Sequence, residues 1–118
     1  MTDEQFVAKF GKEYMKVLEN AQNRNFKIKE ENFEKLYKIV EFFKHYVSEN
    51  GGNIDKIDVA PEEIHAGLTA SFVVFDISGE QIQAFAEVIK GASAFGIDTT
   101  TDGKLCIGIT VGNVFEEI

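Results

Sequence analysis

Residues 47–59 read Val47-Ser48-Glu49-Asn50-Gly51-Gly52-Asn53-Ile54-Asp55-Lys56-Ile57-Asp58-Val59, and the spacing of apolar residues changes within this stretch. Upstream, Phe33, Leu36, Tyr37, Val40, Phe43 and Val47 recur every three or four residues, as on one face of a helix. Downstream, Ile57 and Val59 alternate with Asp58, which is the period of a strand. Asn50-Gly51-Gly52 separates the two regimes, because these residues tolerate the left-handed backbone that ends many helices. Helices before the switch and strands after it define an α+β domain spanning 1–118, with a helical hairpin in 1–50 and a sheet plus one helix in 53–115.

Upstream of the second helix, Thr2 is a good N-cap, Gln5 stands at the capping-box position, and Met1 can staple onto Phe6. Phe6, Val7, Phe10, Tyr14, Val17 and Leu18 then form one stripe, which predicts a single helix ending near Asn20. The polar run 20–25 reads as a loop. Beyond it, Ile28 and Phe33 can staple the second helix, whose N-cap position holds the poor capping residue Lys29.

Downstream of the switch, Pro61 interrupts the first strand and assigns it to a sheet edge. The run 68–77 alternates at first and then becomes apolar on both sides, so its second half is expected to be buried on both faces. It leads into a third helix with Ser78 as N-cap, Gln81 completing the capping box, Ile77 and Ile82 as staple, and Gly91 as stop. Strands 94–100 and 104–111 follow, joined by a turn at Thr101-Asp102-Gly103. Insertion of the last strand between the second and third gives a small, mainly antiparallel four-stranded sheet of order 1-2-4-3 with a right-handed crossover.

The last strand is the most regular in the chain. Leu105, Ile107, Ile109 and Val111 share one side, while Cys106, Gly108, Thr110 and Gly112 share the other. Glycine weakens a strand unless something approaches its backbone closely, so the small side is suited to a helix of the same chain, a neighbouring subunit or a ligand.

Charge divides the chain at the same place as periodicity. Residues 1–50 carry nine acidic and nine basic side chains, whereas residues 51–118 carry eleven acids against Lys56, Lys90 and Lys104, which accounts for the whole net charge of −8. Such a field repels a phosphate backbone and attracts basic partners, so direct binding to DNA or RNA is disfavoured. Eleven Phe and three Tyr supply a core. A lone cysteine cannot form an internal disulfide, the start MTDEQFVAKF lacks the basic-then-apolar pattern of a signal peptide, and no apolar run reaches the ~20 residues that span a bilayer. These features predict a cytoplasmic protein without membrane insertion.

Candidate chemistry is sparse. Asp98-Thr99-Thr100-Thr101-Asp102-Gly103 imitates the opening of a calcium loop, but Ile109 stands where the bidentate Glu belongs, and Asp-Gly between alternating strands is a hairpin turn. Asp55, Asp58, Glu62, Glu63 and His65 gather oxygen and nitrogen donors within eleven residues, which suits solvated edge carboxylates and docking of a basic protein better than a metal cage. Neither His45 nor His65 is placed by sequence to form a dyad with Cys106, and Gly79 alone before Glu80 makes no phosphate cradle. No cofactor, metal or catalytic residue is assigned, and a non-enzymatic role is favoured.

The sequence therefore predicts a small acidic interaction module that binds a protein partner through Asp55, Asp58, Glu62, Glu63 and His65, a homodimer being one form of it. Two alternatives stand beside it. One is a nucleic-acid mimic that occupies a basic protein groove; the other is a small-molecule-binding protein or small enzyme using Cys106, Gly108, Thr110 and Gly112.

Overall fold

The computed structural model describes residues 2–49, 53–75, 83, 90, 92–99 and 104–118. The chain begins with the expected capping box. Gln5 N–H donates to Thr2 Oγ1 at 3.1 Å, and Thr2 N–H donates to Gln5 Oε1 at 2.9 Å. Helix α1 (Asp3–Phe10) then stops at Gly11, whose φ of 94° lies where only glycine is unstrained. The single first helix expected from the apolar stripe is thus two. A 3₁₀ turn at Lys12–Tyr14 leads into α2 (Met15–Asn23), which runs three residues past the expected end.

Phe6, Phe10, Tyr14 and Val17 are all buried despite the break, which is why the stripe reads as continuous. They face α3 (Glu30–Glu49), where Phe33, Leu36, Ile39, Val40, Phe43 and Val47 are buried. Aromatic rings interlock at this contact, with Phe10 to Phe33 at 4.7 Å and Tyr14 to Phe33 at 5.4 Å between centroids. Ion pairs rim it: Lys9 reaches Glu30 at 2.6 Å and Lys44 reaches Glu13 at 2.9 Å. These lysines are engaged by neighbouring glutamates, as the neutral charge sum of this half anticipates.

The expected loop at 20–25 shrinks to Arg24-Asn25, because α2 runs through Asn23, and a strand that the sequence did not signal follows it. β1 (Phe26–Ile28) pairs antiparallel with β6 (Phe115–Glu117), a contact between residues far apart in sequence. Lys29 N–H donates to Val114 O at 2.7 Å and Asn32 Nδ2 donates to Asn113 O at 2.8 Å, so the start of α3 is held by the C-terminal segment in place of a side-chain cap.

The main sheet contains β2 (Asn53–Glu62), β3 (Gly67–Phe75), β4 (Ala94–Thr99) and β5 (Leu105–Val111) in the order β2-β3-β5-β4, with every neighbour antiparallel. This is the order expected from the sequence, and the domain is α+β. β2 lies at an edge as anticipated, but it continues through Pro61, which an edge strand permits because its backbone nitrogen can face away from the ladder. The third helix with its Ser78 cap, and the turn at 100–103, lie outside the described residues.

Register sorts the two faces of the sheet. Ile57, Phe72, Ile107 and Ile97 form one cross-strand row, and Val59, Ala70, Ile109 and Phe95 form the next. This face carries Phe72, Ile107, Ile109, Leu68 and Val111 into the core beneath α3, with Phe43 and Phe72 rings 4.9 Å apart. The opposite face carries the rows Asp58–Ser71–Gly108–Gly96 and Val73–Cys106–Asp98.

Candidate functional site

Close backbone approach selects glycine at two positions next to the β2–β3 turn. A Cβ on Gly67 would run into the Val111 carbonyl, and one on Gly112 would meet His65 Cβ and Ser93 Oγ at 3.2 Å each. Gly108 and Gly96 are different. A Cβ built on either meets no heavy atom within 4 Å among the described residues. Directly opposite one another in register, they form the flat floor of a trough on the face away from α3.

The trough has a volume of about 510 Å³ and is lined by Asp58, Ser71, Val73, Gly96, Asp98, Cys106 and Gly108, together with neighbouring backbone. Alternation in four strands brings these residues together, since each belongs to the outward-facing set of its strand. Asp58 on β2 and Asp98 on β4 stand at opposite rims, three strand spacings apart across the sheet and two residues apart along it, roughly 16 Å. Both are exposed. Two carboxylates across a small-residue floor attract cations, while the absence of a long side chain on Gly96 and Gly108 lets an extended segment lie close to the sheet.

The acidic residues singled out by sequence do not form one surface. Asp58 lies on the trough rim, and Asp55 sits where the β2–β3 register shifts, its side chain outside the described residues. Glu62 closes the β2–β3 turn by accepting from Ile64 N–H at 2.9 Å, His65 N–H at 3.0 Å and His65 Nδ1 at 2.8 Å. Desolvation opposes ionisation of Glu62, but these hydrogen bonds outweigh it and hold its carboxyl below the ordinary carboxylate range. Glu63 points to Arg24 at 3.7 Å.

The small side of the last strand is divided as well. Cys106 and Gly108 line the trough, whereas Thr110 Oγ1 is bonded to Thr69 Oγ1 at 2.9 Å and Gly112 N–H donates to Ser93 Oγ at 2.9 Å. The structure thus joins one residue of the acidic group, Asp58, to two of the small-residue group. Val73 and Gly96 on the trough were absent from both sets, as were Asp98 and Ser71. Only the register of β4 against β5 and of β3 against β2 makes them neighbours of Cys106 and Asp58.

Among the described residues, no three His, Cys, Asp or Glu side chains are grouped to hold a metal ion. No described helix is long and apolar enough to cross a membrane. Comparison with protein-family models, with curated proteins and with solved structures finds no match to this chain.

Proposed function

We propose that this protein is a small acidic interaction module that docks a basic segment of a partner protein along the trough between Asp58 and Asp98. The supporting observation is the trough itself, in which two rim carboxylates flank a floor of Gly96, Gly108, Ser71 and Cys106. An extended chain fits such a floor because its backbone can approach two glycines, while Lys or Arg side chains roughly 14 Å apart, four residues along a strand, can reach the two rims. The excess of negative charge in residues 51–118 adds long-range attraction that speeds encounter.

Mimicry of a nucleic acid receives less support. A phosphate-like array needs carboxylates in a row, whereas Glu62 is committed to its turn and Glu63 is drawn to Arg24. Use of the floor by a small molecule is the competing occupancy. NMR titration with extended peptides carrying two lysines at i and i+4 should perturb the amides of Asp58, Ser71, Gly96 and Gly108, with binding that weakens as salt rises. Asp58→Lys should weaken it at least ~10-fold, about 1.4 kcal/mol. Binding of neutral peptides with equal affinity, or perturbations confined to the helices, would overturn the proposal.

A further inference from the structure

We infer that the outer edge of β4 is a contact surface for a second copy of this chain, formed by antiparallel β4–β4 pairing centred on Gly96. This inference does not depend on the docking of a basic segment. β4 ends the sheet, and among the described residues no strand pairs with its outer side, the side on which a sheet edge presents alternate backbone N–H and C=O groups to another strand.

Burial along the core-side rows points the same way. In one row Phe72 and Ile107 are each 2% exposed, but Ile97 is 42% exposed; in the next, Ala70 and Ile109 are fully buried, but Phe95 is 57% exposed. The apolar face of the sheet thus continues past the area that the described helices cover. Its uncovered end lies on the strand whose outer edge pairs with no other strand among the described residues.

The sequence of β4 is self-complementary in the register centred on Gly96. Antiparallel pairing there sets Phe95 opposite Ile97 of the second copy and Ile97 opposite its Phe95, two aromatic–β-branched pairs on one face. Gly96 faces its own copy, with open space where a Cβ would stand. Asp98 falls opposite Ala94, so the two Asp98 carboxylates are about 14 Å apart, beyond the ~8 Å screening length of physiological salt. Other partners need not satisfy this match, whereas a second copy does so by symmetry.

One six-residue strand makes a small interface, so the dimer should be weak, roughly micromolar, and opposed by the −8 charge of each chain. Sedimentation velocity of the full chain from about 10 to about 500 µM should show reversible dimerisation that tightens as salt rises. Ile97→Lys, with circular dichroism confirming its fold, should raise the dissociation constant at least ~10-fold, while Ala60→Lys on the opposite edge should change it less than about twofold.

Register is tested separately by oxidised glutathione in a Cys106→Ala background. Gly96→Cys should cross-link to its copy, because directly opposed residues have Cα atoms roughly 4.5–5.5 Å apart, within disulfide reach; Ala94→Cys should cross-link far more slowly. A parent that stays monomeric throughout, a dimer unaffected by Ile97→Lys, or cross-linking no faster at position 96 than at 94 would each overturn the inference.

Discussion

β2 and β4 both end the four-stranded sheet, yet they end it in different ways. β2 carries Pro61, the charged Asp58 and a register shift between Ile54 and Ile57, each of which obstructs pairing with another strand. β4 reads Ala94-Phe95-Gly96-Ile97-Asp98-Thr99; like β2 it carries one exposed carboxylate on the trough face, Asp98, but it has no proline and no register shift against β5. An edge that carries a proline and a register shift is protected; one without them, with exposed Phe and Ile beside it, is suited to receive a strand. The contrast separates what the domain keeps for its own stability from what it presents outward.

The largest test compares two isoleucines in one row. Ile107→Ala should cost about 2–5 kcal/mol, because a buried side chain leaves a cavity, while Ile97→Ala should cost under about 1 kcal/mol at concentrations where the chain is monomeric. Urea denaturation of the two variants measures the difference. Equal losses would mean that β4 is as deeply packed as β5, and the edge contrast would fail.

Glycines sharpen the comparison next. Gly67→Ala drives a methyl into the Val111 carbonyl and should cost about 3 kcal/mol, whereas Gly96→Ala enters open space and should change stability by less than ~1 kcal/mol. Thermal melts of both variants decide whether only the β2–β3 end needs a bare backbone.

The turn that closes the β2 edge should respond to acid. Glu62 has a folded-state pKa below its ordinary value, so the unfolded state binds more protons in that range, and this contribution is present above the usual carboxylate pKa and lost as pH falls through the folded one. Glu62→Gln should therefore flatten the fall in Tm as pH drops below about 4.5. A parental acid limb in the variant would show that the Glu62–His65 contact does not contribute to the edge.

The smallest effect is expected from Asp58→Lys. Exposed on the β2 rim, it should shift stability by no more than ~0.5 kcal/mol while still weakening peptide binding. A large stability loss would mean that Asp58 supports the edge and does not serve recognition.

The helical period of Phe33 to Val47, the alternation of Leu105 to Val111 and the turn-forming run Asn50-Gly51-Gly52 together determined the α+β class, because each rests on patterns that neighbouring residues impose locally, whereas the strand order was an expectation from connectivity that the structure matches. Thr2 and Gln5 likewise specified a cap whose partners lie three residues apart. The break at Gly11 was hidden, since apolar residues on both sides of it reach the same core.

β1 and β6 were decided only by tertiary structure, because three-residue strands carry too little pattern to signal a pairing between residues 26 and 117. The trough depends on the tertiary structure in the same way. Sequence made Cys106 and Gly108 neighbours on one strand face and placed Asp58 in an acidic segment, but cross-strand register alone sets Asp58, Ser71, Gly108 and Gly96 in one row with Asp98 on the far rim. Whether an alternating apolar residue becomes core or exposed edge was likewise beyond the sequence. Ile97 and Ile107 have the same side chain and the same local pattern, and only the position of their strands beneath the helices makes one buried and the other open to solvent.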